Sequence, residues 1–175
     1  LLLEGFSKEV PLADLVALGR AYGVAVADDL GSGALVSLSE RGLPGDEPLV
    51  RESIAAGADL VTASGDKLIG GPQMGIVLGT RECVARVRAH PLYRAIRCDK
   101  LTLVAMEATL RLFLDPDRLA ATHPTVGALS APLSALRERA EALARRLAEL
   151  PAVRQSGLRV EAAAVADTVG AGSLP

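Results

Sequence analysis

The sequence predicts an α/β fold: a mostly parallel sheet flanked by helices, followed by the start of a smaller α+β C-terminal domain. Three observations predict it. Short apolar runs alternate with helical periodicities through the first two thirds of the chain, the pattern of strands joined by helices. Those runs are nearly continuous in apolar character, as strands buried on both faces are. After Pro116 the texture changes to loop-like sequence and a charged amphipathic stretch. The expected division is a partial large domain over residues 1–116 and a partial small domain over 117–175.

The elements follow in order. Residues 11–22 place Leu12, Leu15, Val16 and Leu18 at near-helical spacing, with Pro11 where a helix start tolerates it and Gly23 to end it. Residues 24–27 read as a buried strand running into Asp28, Asp29 and a Gly-Ser-Gly turn. A short helix over 50–56 precedes a second strand over 60–62, which ends at Ser64-Gly65-Asp66-Lys67. A third strand over 76–78 leads through Gly79 and Thr80 into a helix over 81–89. An apolar helix begins at Asp99 or Lys100 and runs to Leu114, stopped by Asp115-Pro116. Residues 117–132 read as loop, 133–150 as a helix and 153–169 as strands. No internal repeat is visible.

Composition narrows the function. Half of the 175 residues are hydrophobic and the mean hydropathy is +0.31, which excludes disorder for most of the length. No uncharged apolar stretch approaches the ~20 residues of a bilayer span. Nineteen basic against 21 acidic residues give a net charge of −2, unlike a free-standing nucleic-acid binder. Trp is absent and Tyr and Phe number two each, too few for a base-stacking platform. Cys83 and Cys98 form no CxxC pair and lie near no paired histidines, so neither a zinc site nor a disulfide framework is expected and a reducing compartment fits. The chain opens inside an apolar run, Leu1-Leu2-Leu3, and stops in loop-like Gly172-Ser173-Leu174-Pro175, which reads as an interior stretch of a longer enzyme.

Two strand ends carry candidate chemistry. Asp29-Leu30-Gly31-Ser32-Gly33 invites a dinucleotide reading, but the third glycine of that fingerprint would fall at Val36. A plain turn would explain the glycines alone. The carboxylate adds weight, because ligands of open parallel sheets sit outside the carboxyl ends of strands. Lys67 follows the second strand among Gly65, Gly70 and Gly71, which would let backbone approach a ligand closely. A Walker loop fails, since Gly65 lies only two residues before Lys67. A lysine in an apolar, glycine-rich setting can instead form a Schiff base with an aldehyde cofactor. Pyridoxal phosphate is such a cofactor, and it needs a carboxylate on its ring nitrogen. Asp29 and Lys67, 38 residues apart at two strand ends, would meet both needs.

The basic residues gather elsewhere. Residues 81–100 hold six basic and two acidic side chains, in a chain whose remainder is net −6. Arg94 and Arg97 at i, i+3 would share one face if the segment is helical, a cationic patch suited to an oxyanion. A solvated basic helix face is the bland alternative. His90 and His123 lack partners at metal spacing and read as surface or loop residues; no metal site is expected. Cys98 reads as an inert small residue, and the apolar run 101–114 as core.

Three stretches together resemble a known family. Asp29-Leu30-Gly31-Ser32-Gly33, the lysine block Ser64-Gly65-Asp66-Lys67-Leu68-Ile69-Gly70-Gly71-Pro72-Gln73-Met74-Gly75, and the arginine block Arg94-Ala95-Ile96-Arg97-Cys98-Asp99-Lys100-Leu101-Thr102-Leu103 are similar to bacterial selenocysteine synthase, the L-seryl-tRNA(Sec) selenium transferases. The resemblance runs from about Gly5 to Asp115 and returns over residues 170–175. It implies a fold-type-I pyridoxal-phosphate enzyme whose large, cofactor-binding domain is partly present in residues 1–116. It implies Lys67 as the Schiff-base lysine and Asp29, with Ser64, as cofactor-binding. Asp29 is preferred to Asp28 because the family's carboxylate directly precedes Leu-Gly-Ser-Gly, and strand alternation lets only one of the two face the site. It further implies Arg94 and Arg97 as the anion-binding pair for selenophosphate, and Asp66 as a helper in proton transfer or leaving-group departure. The activity implied is conversion of seryl-tRNA(Sec) to selenocysteinyl-tRNA(Sec) through an aminoacrylyl intermediate, in a cytoplasmic homo-oligomer with sites between subunits. Two alternatives compete: a related pyridoxal-phosphate lyase on a small amino acid or amino sugar phosphate, with no need of the arginine pair, and a non-catalytic tRNA-binding or assembly subunit.

Overall fold

The computed structural model describes residues 10–41 and 47–165. The expectations for the first residues and for 166–175 lie outside the described residues. Helix α1, Leu12–Tyr22, starts behind Pro11 and ends at Gly23, whose left-handed φ of 64° closes the helix on the carbonyls of Arg20 and Gly19. Helix α2, Val50–Ala56, ends the same way at Gly57. These two helices cover one face of a three-stranded sheet.

The strands are β1, Ala27–Gly31, β2, Leu60–Ser64, and β3, Gly75–Gly79, in the order β1-β2-β3. The first strand begins later than the sequence predicts. Residues before Ala27 are claimed by other partners: the Val24 N–H closes α1 on Gly19, and the Val26 N–H donates to the Asp59 carboxylate at 2.8 Å. Pairing therefore starts at Ala27 opposite Leu60, which draws Asp28 and Asp29 into the strand.

The sheet is only half parallel. β1 and β2 run parallel, but β3 returns antiparallel to β2. The connection between β2 and β3 spans residues 65–74, shorter than the crossover of a dozen or more residues that a parallel return requires. Val61 and Ala63 of β2 are buried and pack with Val50 of α2 and Ala58, backed by Leu12, Leu30, Leu35 and Leu78. Fully burying a side chain such as Val61 contributes roughly 1.5–3 kcal/mol. The opposite face is less covered than expected: Leu60, Thr62 and Ser64 are half-buried and Val77 is exposed.

Past β3, helix α3, Arg81–Ala89, is capped by Thr80, and α4, Pro91–Ile96, by His90. Helix α5, Lys100–Leu112, is capped by Asp99. The stretch read as loop is instead helical in three short pieces: a 3-10 turn over Pro116–Arg118, α6, Leu119–Thr122, and α7, Pro124–Leu129. Prolines at first helical positions and side-chain caps from Asp115 and His123 make these turns. Helix α8, Leu133–Glu149, matches its prediction. The strands expected from residue 153 do not form within the described residues. Pro151 starts helix α9, Pro151–Ser156, and residues 158–165 run without regular structure.

Candidate active site

The parallel pairing of β1 and β2 brings two strand ends together. Asp29 lies opposite Thr62, and a register shift between Asp29 and Gly31 sets Gly31 opposite Ala63. The Thr62 hydroxyl donates to Asp29 Oδ1 at 2.6 Å, fixing the orientation of an exposed carboxylate. This contact puts Asp29 on the sheet face opposite buried Val61 and Ala63. Alternation gives Asp28 the parity of Leu30, which packs on the Val61 side. Thr62 has a sequence signal in hindsight: it lies two residues before Ser64 on the same strand face.

Beyond β2 the chain turns tightly over residues 65–69, and Lys67 sits half-buried on that turn. Besides the Gly65 N–H bond to the Met74 carbonyl at 2.8 Å that closes the hairpin, four hydrogen bonds hold the turn. The Leu68 N–H donates to the Ser32 carbonyl at 3.2 Å, tying the loop after β2 to the loop after β1. The Gly70 N–H donates to the Lys67 carbonyl at 2.9 Å, and the Gly71 N–H to the Gly65 carbonyl at 2.8 Å. The fourth joins the Ile69 carbonyl to His123 Nε2 at 2.8 Å. Leu68 and Ile69, beside the lysine, are buried; Leu68 joins Ala34, Leu38 and Leu49, with Leu129 of α7 against them. Two apolar anchors thus fix a polar neighbour, an arrangement that the glycine-rich sequence did not announce.

The Lys67 amine reaches the end of β1. A methyl group added at Gly31 would lie 4.0 Å from Nζ. Among the described residues the Lys67 amine makes no ion pair or hydrogen bond. Gly33, at φ 73°, packs so closely that a methyl there would meet the Ser64 carbonyl oxygen at 2.9 Å. The glycines around the lysine are also required by protein packing. A methyl on Gly71 would come within 2.8 Å of Met106 Cε, and one on Gly70 within 2.5 Å of the His123 ring and the Thr125 hydroxyl.

The remaining candidates divide. Ser64 is half-buried at the end of β2, and Asp66 is exposed beside Lys67. Arg94 and Arg97 do not share a helix face: Arg94 lies in the last turn of α4, while Arg97 has already left it with ψ near 139°. Asp99 forces that break, because its carboxylate caps α5 through the N–H groups of Leu101 and Thr102 at 2.7 and 3.0 Å. Both arginines are exposed, without protein partners among the described residues. His90 caps α4 at the surface, whereas His123 is buried at 1% exposure, against expectation. A groove of about 560 Å³ opens at the other end of the strands, between Ala27, Leu60, Cys83, Val87 and Tyr93.

The Lys67 amine and the oriented Asp29 carboxylate, at adjoining ends of a parallel pair, form a candidate strand-end site in an α/β protein. The solved D-glucosaminate-6-phosphate ammonia-lyase shares this fold, with a TM-score of 0.50 and 20% identity over 63% of this chain and 27% of that one. The chain belongs to the L-seryl-tRNA selenium transferase family, whose model matches residues 1–175. The L-seryl-tRNA(Sec) selenium transferases of Rhizobium meliloti (strain 1021) and Klebsiella pneumoniae (strain 342) are each 49% identical to it over 173 residues. That of Escherichia coli O9:H4 (strain HS) is 47% identical over the same length. In each case 99% of this chain is covered, and it spans 36% of the relative.

Proposed function

We propose that the full-length protein is a pyridoxal-phosphate-dependent transferase that converts seryl-tRNA(Sec) to selenocysteinyl-tRNA(Sec), with selenophosphate as selenium donor. The observation that carries this reading is the free Lys67 amine beside the end of the strand that holds Asp29, in a chain of this family. The donor set fits the cofactor. Lys67 supplies an amine for its aldehyde carbon, Asp29 a carboxylate for its ring nitrogen, and Ser64 a hydroxyl at the end of the neighbouring strand. When bound, pyridoxal phosphate supplies an electron sink for charge left on an amino acid's α-carbon.

The protein's own groups position and move protons. Lys67 Nζ would remove the seryl α-proton, a role that contributes on the order of 10²–10⁴ in rate. Thr62 keeps the Asp29 carboxylate turned to the open face of the sheet, where its charge balances the ring nitrogen. Asp66, exposed beside the lysine, would assist proton transfer or the departure of the seryl hydroxyl. Arg94 and Arg97, free of protein partners, bind the selenium donor's oxyanion through charge-assisted hydrogen bonds. Residues 1–116 belong on this reading to the large cofactor domain. Residues 117–175 begin the small one, with α7 and its cap His123 against the lysine turn. No helix among the described residues is long and apolar enough to cross a membrane. A tRNA substrate supports a cytoplasmic site of action. Exposed apolar side chains on α5 support a homo-oligomer.

Borohydride reduction of the full-length protein, followed by peptide mapping, tests the reading directly. The cofactor is expected on Lys67, and label on any other lysine overturns the assignment. Arg94→Ala and Arg97→Ala should each weaken use of the selenium donor while leaving the bound cofactor's absorbance intact. Normal donor dependence in both would favour the lyase instead.

A further inference from the structure

His123 lies 54 residues beyond Ile69, and its ring is 1% exposed. Its two nitrogens are both engaged, and their partners determine where its proton sits. The Val126 backbone N–H donates to Nδ1 at 3.2 Å, so Nδ1 must carry a lone pair. The Ile69 carbonyl only accepts, so Nε2 must carry the hydrogen that meets it at 2.8 Å. The ring is therefore neutral and protonated on Nε2, as these two partners require. Phe113 fixes the ring's plane, edge to face, with centroids 4.9 Å apart and planes at 64°. Gly70 lies so close beneath it that no side chain fits there.

One imidazole thus makes two connections. Through Nδ1 it caps α7; through Nε2 it holds the arm of the turn that leaves Lys67, two residues from the lysine. We propose that His123 is a positioning residue that sets where the Lys67 amine stands, rather than only a buried cap; the proposal rests on Lys67 being the cofactor lysine. Without the Nε2 contact the Ile69 carbonyl is a buried acceptor with no partner, which the turn relieves by shifting. A displacement of about 1 Å at a reacting group can cost about 10²-fold in rate.

The two nitrogens can be tested apart in the full-length protein. His123→Asn keeps an acceptor near Nδ1 and remains a good helix cap, but cannot reach Ile69. His123→Gln can place an amide N–H where Nε2 stood. The expected result for His123→Asn is kcat lowered by about 10- to 10²-fold with KM within about twofold. In the cofactor-free protein, amide exchange in the peptide over 65–71 and amine labelling of Lys67 relative to Lys100 should both accelerate by about tenfold or more, by the same loss of fixation. His123→Gln should restore all three to within a few fold of the parent. Equal behaviour of the two variants, or parent-like exchange and labelling in His123→Asn, overturns the proposal. If both variants fail to fold, the parent protein decides: residues 65–71 must be as protected from exchange as 123–127, and faster exchange of the lysine turn overturns it. Exchange and labelling need no cofactor, so a cofactor found on another lysine would defeat the functional reading without altering these outcomes.

Discussion

The lysine turn and helix α5 are both rich in large apolar residues, yet they use them differently. Leu68 and Ile69 are 7% and 1% exposed, each committed to a partner within the described chain. On α5, Leu101 is 82% and Val104 63% exposed, and Met106, seated over Gly65 and Gly71, is the buried residue. Hydrophobic composition alone does not separate the two regions. What separates them is whether the partner surface lies within these residues: the turn is finished by β1, α5 and α7, while most of α5 presents an apolar surface that calls for a cover.

Four experiments can break or sharpen this contrast. The largest effect is expected from Ile69→Ala, which should cost about 2–5 kcal/mol in a denaturant melt, since it empties a closed site beside the lysine. A loss below about 1 kcal/mol would mean the turn is not the rigid region described. Next, Asp29→Asn should lower turnover by about 10²-fold, the scale of losing one electrostatic partner at a reacting centre, with cofactor occupancy largely kept. Asp28→Asn should do much less; the reverse ranking would show that the opposite strand face carries the site. Third, Leu101→Gln in the full-length protein should cost about 1–3 kcal/mol if a cover is present there. A change within about 0.5 kcal/mol would make α5 an ordinary surface helix.

The smallest effect concerns Asp99. The Thr102 N–H first, then the Thr102 hydroxyl and the Leu101 N–H, hold its carboxyl below the ordinary value of 3.8. A lowered value stabilises the fold above that pH and loses the benefit as pH falls through it. The melting temperature of Asp99→Ala should therefore lie slightly below that of the parent at pH 7. The gap should close once the carboxyl is protonated in acid, and a gap that persists there would refute the cap as its cause.

Much of this was legible in local sequence. Gly23 ends α1, Asp99 starts α5 and Asp115-Pro116 follows it because caps and breakers act within a few residues. Helices α2, α3 and α8 were readable for the same reason. The direction of β3 was missed because the strand's composition does not reveal its partner's direction; the short return over residues 65–74 does. The arginine pair misled because i, i+3 spacing assumes an unbroken helix, and the Asp99 cap interrupts it. Nothing local marks His123: its partner is the Ile69 carbonyl, a backbone group that every residue carries.

The hairpin made by β2, the lysine turn and β3 also has a consequence for the order of folding. It closes over residues 65–74, whereas His123 must find Ile69 across 54 residues. Each doubling of a flexible loop adds only about 0.6 kcal/mol of closure entropy, but that delays the longer contact relative to the shorter. A ribosome building the chain from its amino end also delivers Lys67 well before His123 exists. The Lys67 amine therefore appears first on an open hairpin and acquires its fixed place when α7 closes over it. Pulsed hydrogen exchange during refolding should protect the amides of 76–78 before those of 123–127. The setting of Lys67 would then be completed late, by the part of the chain that follows it.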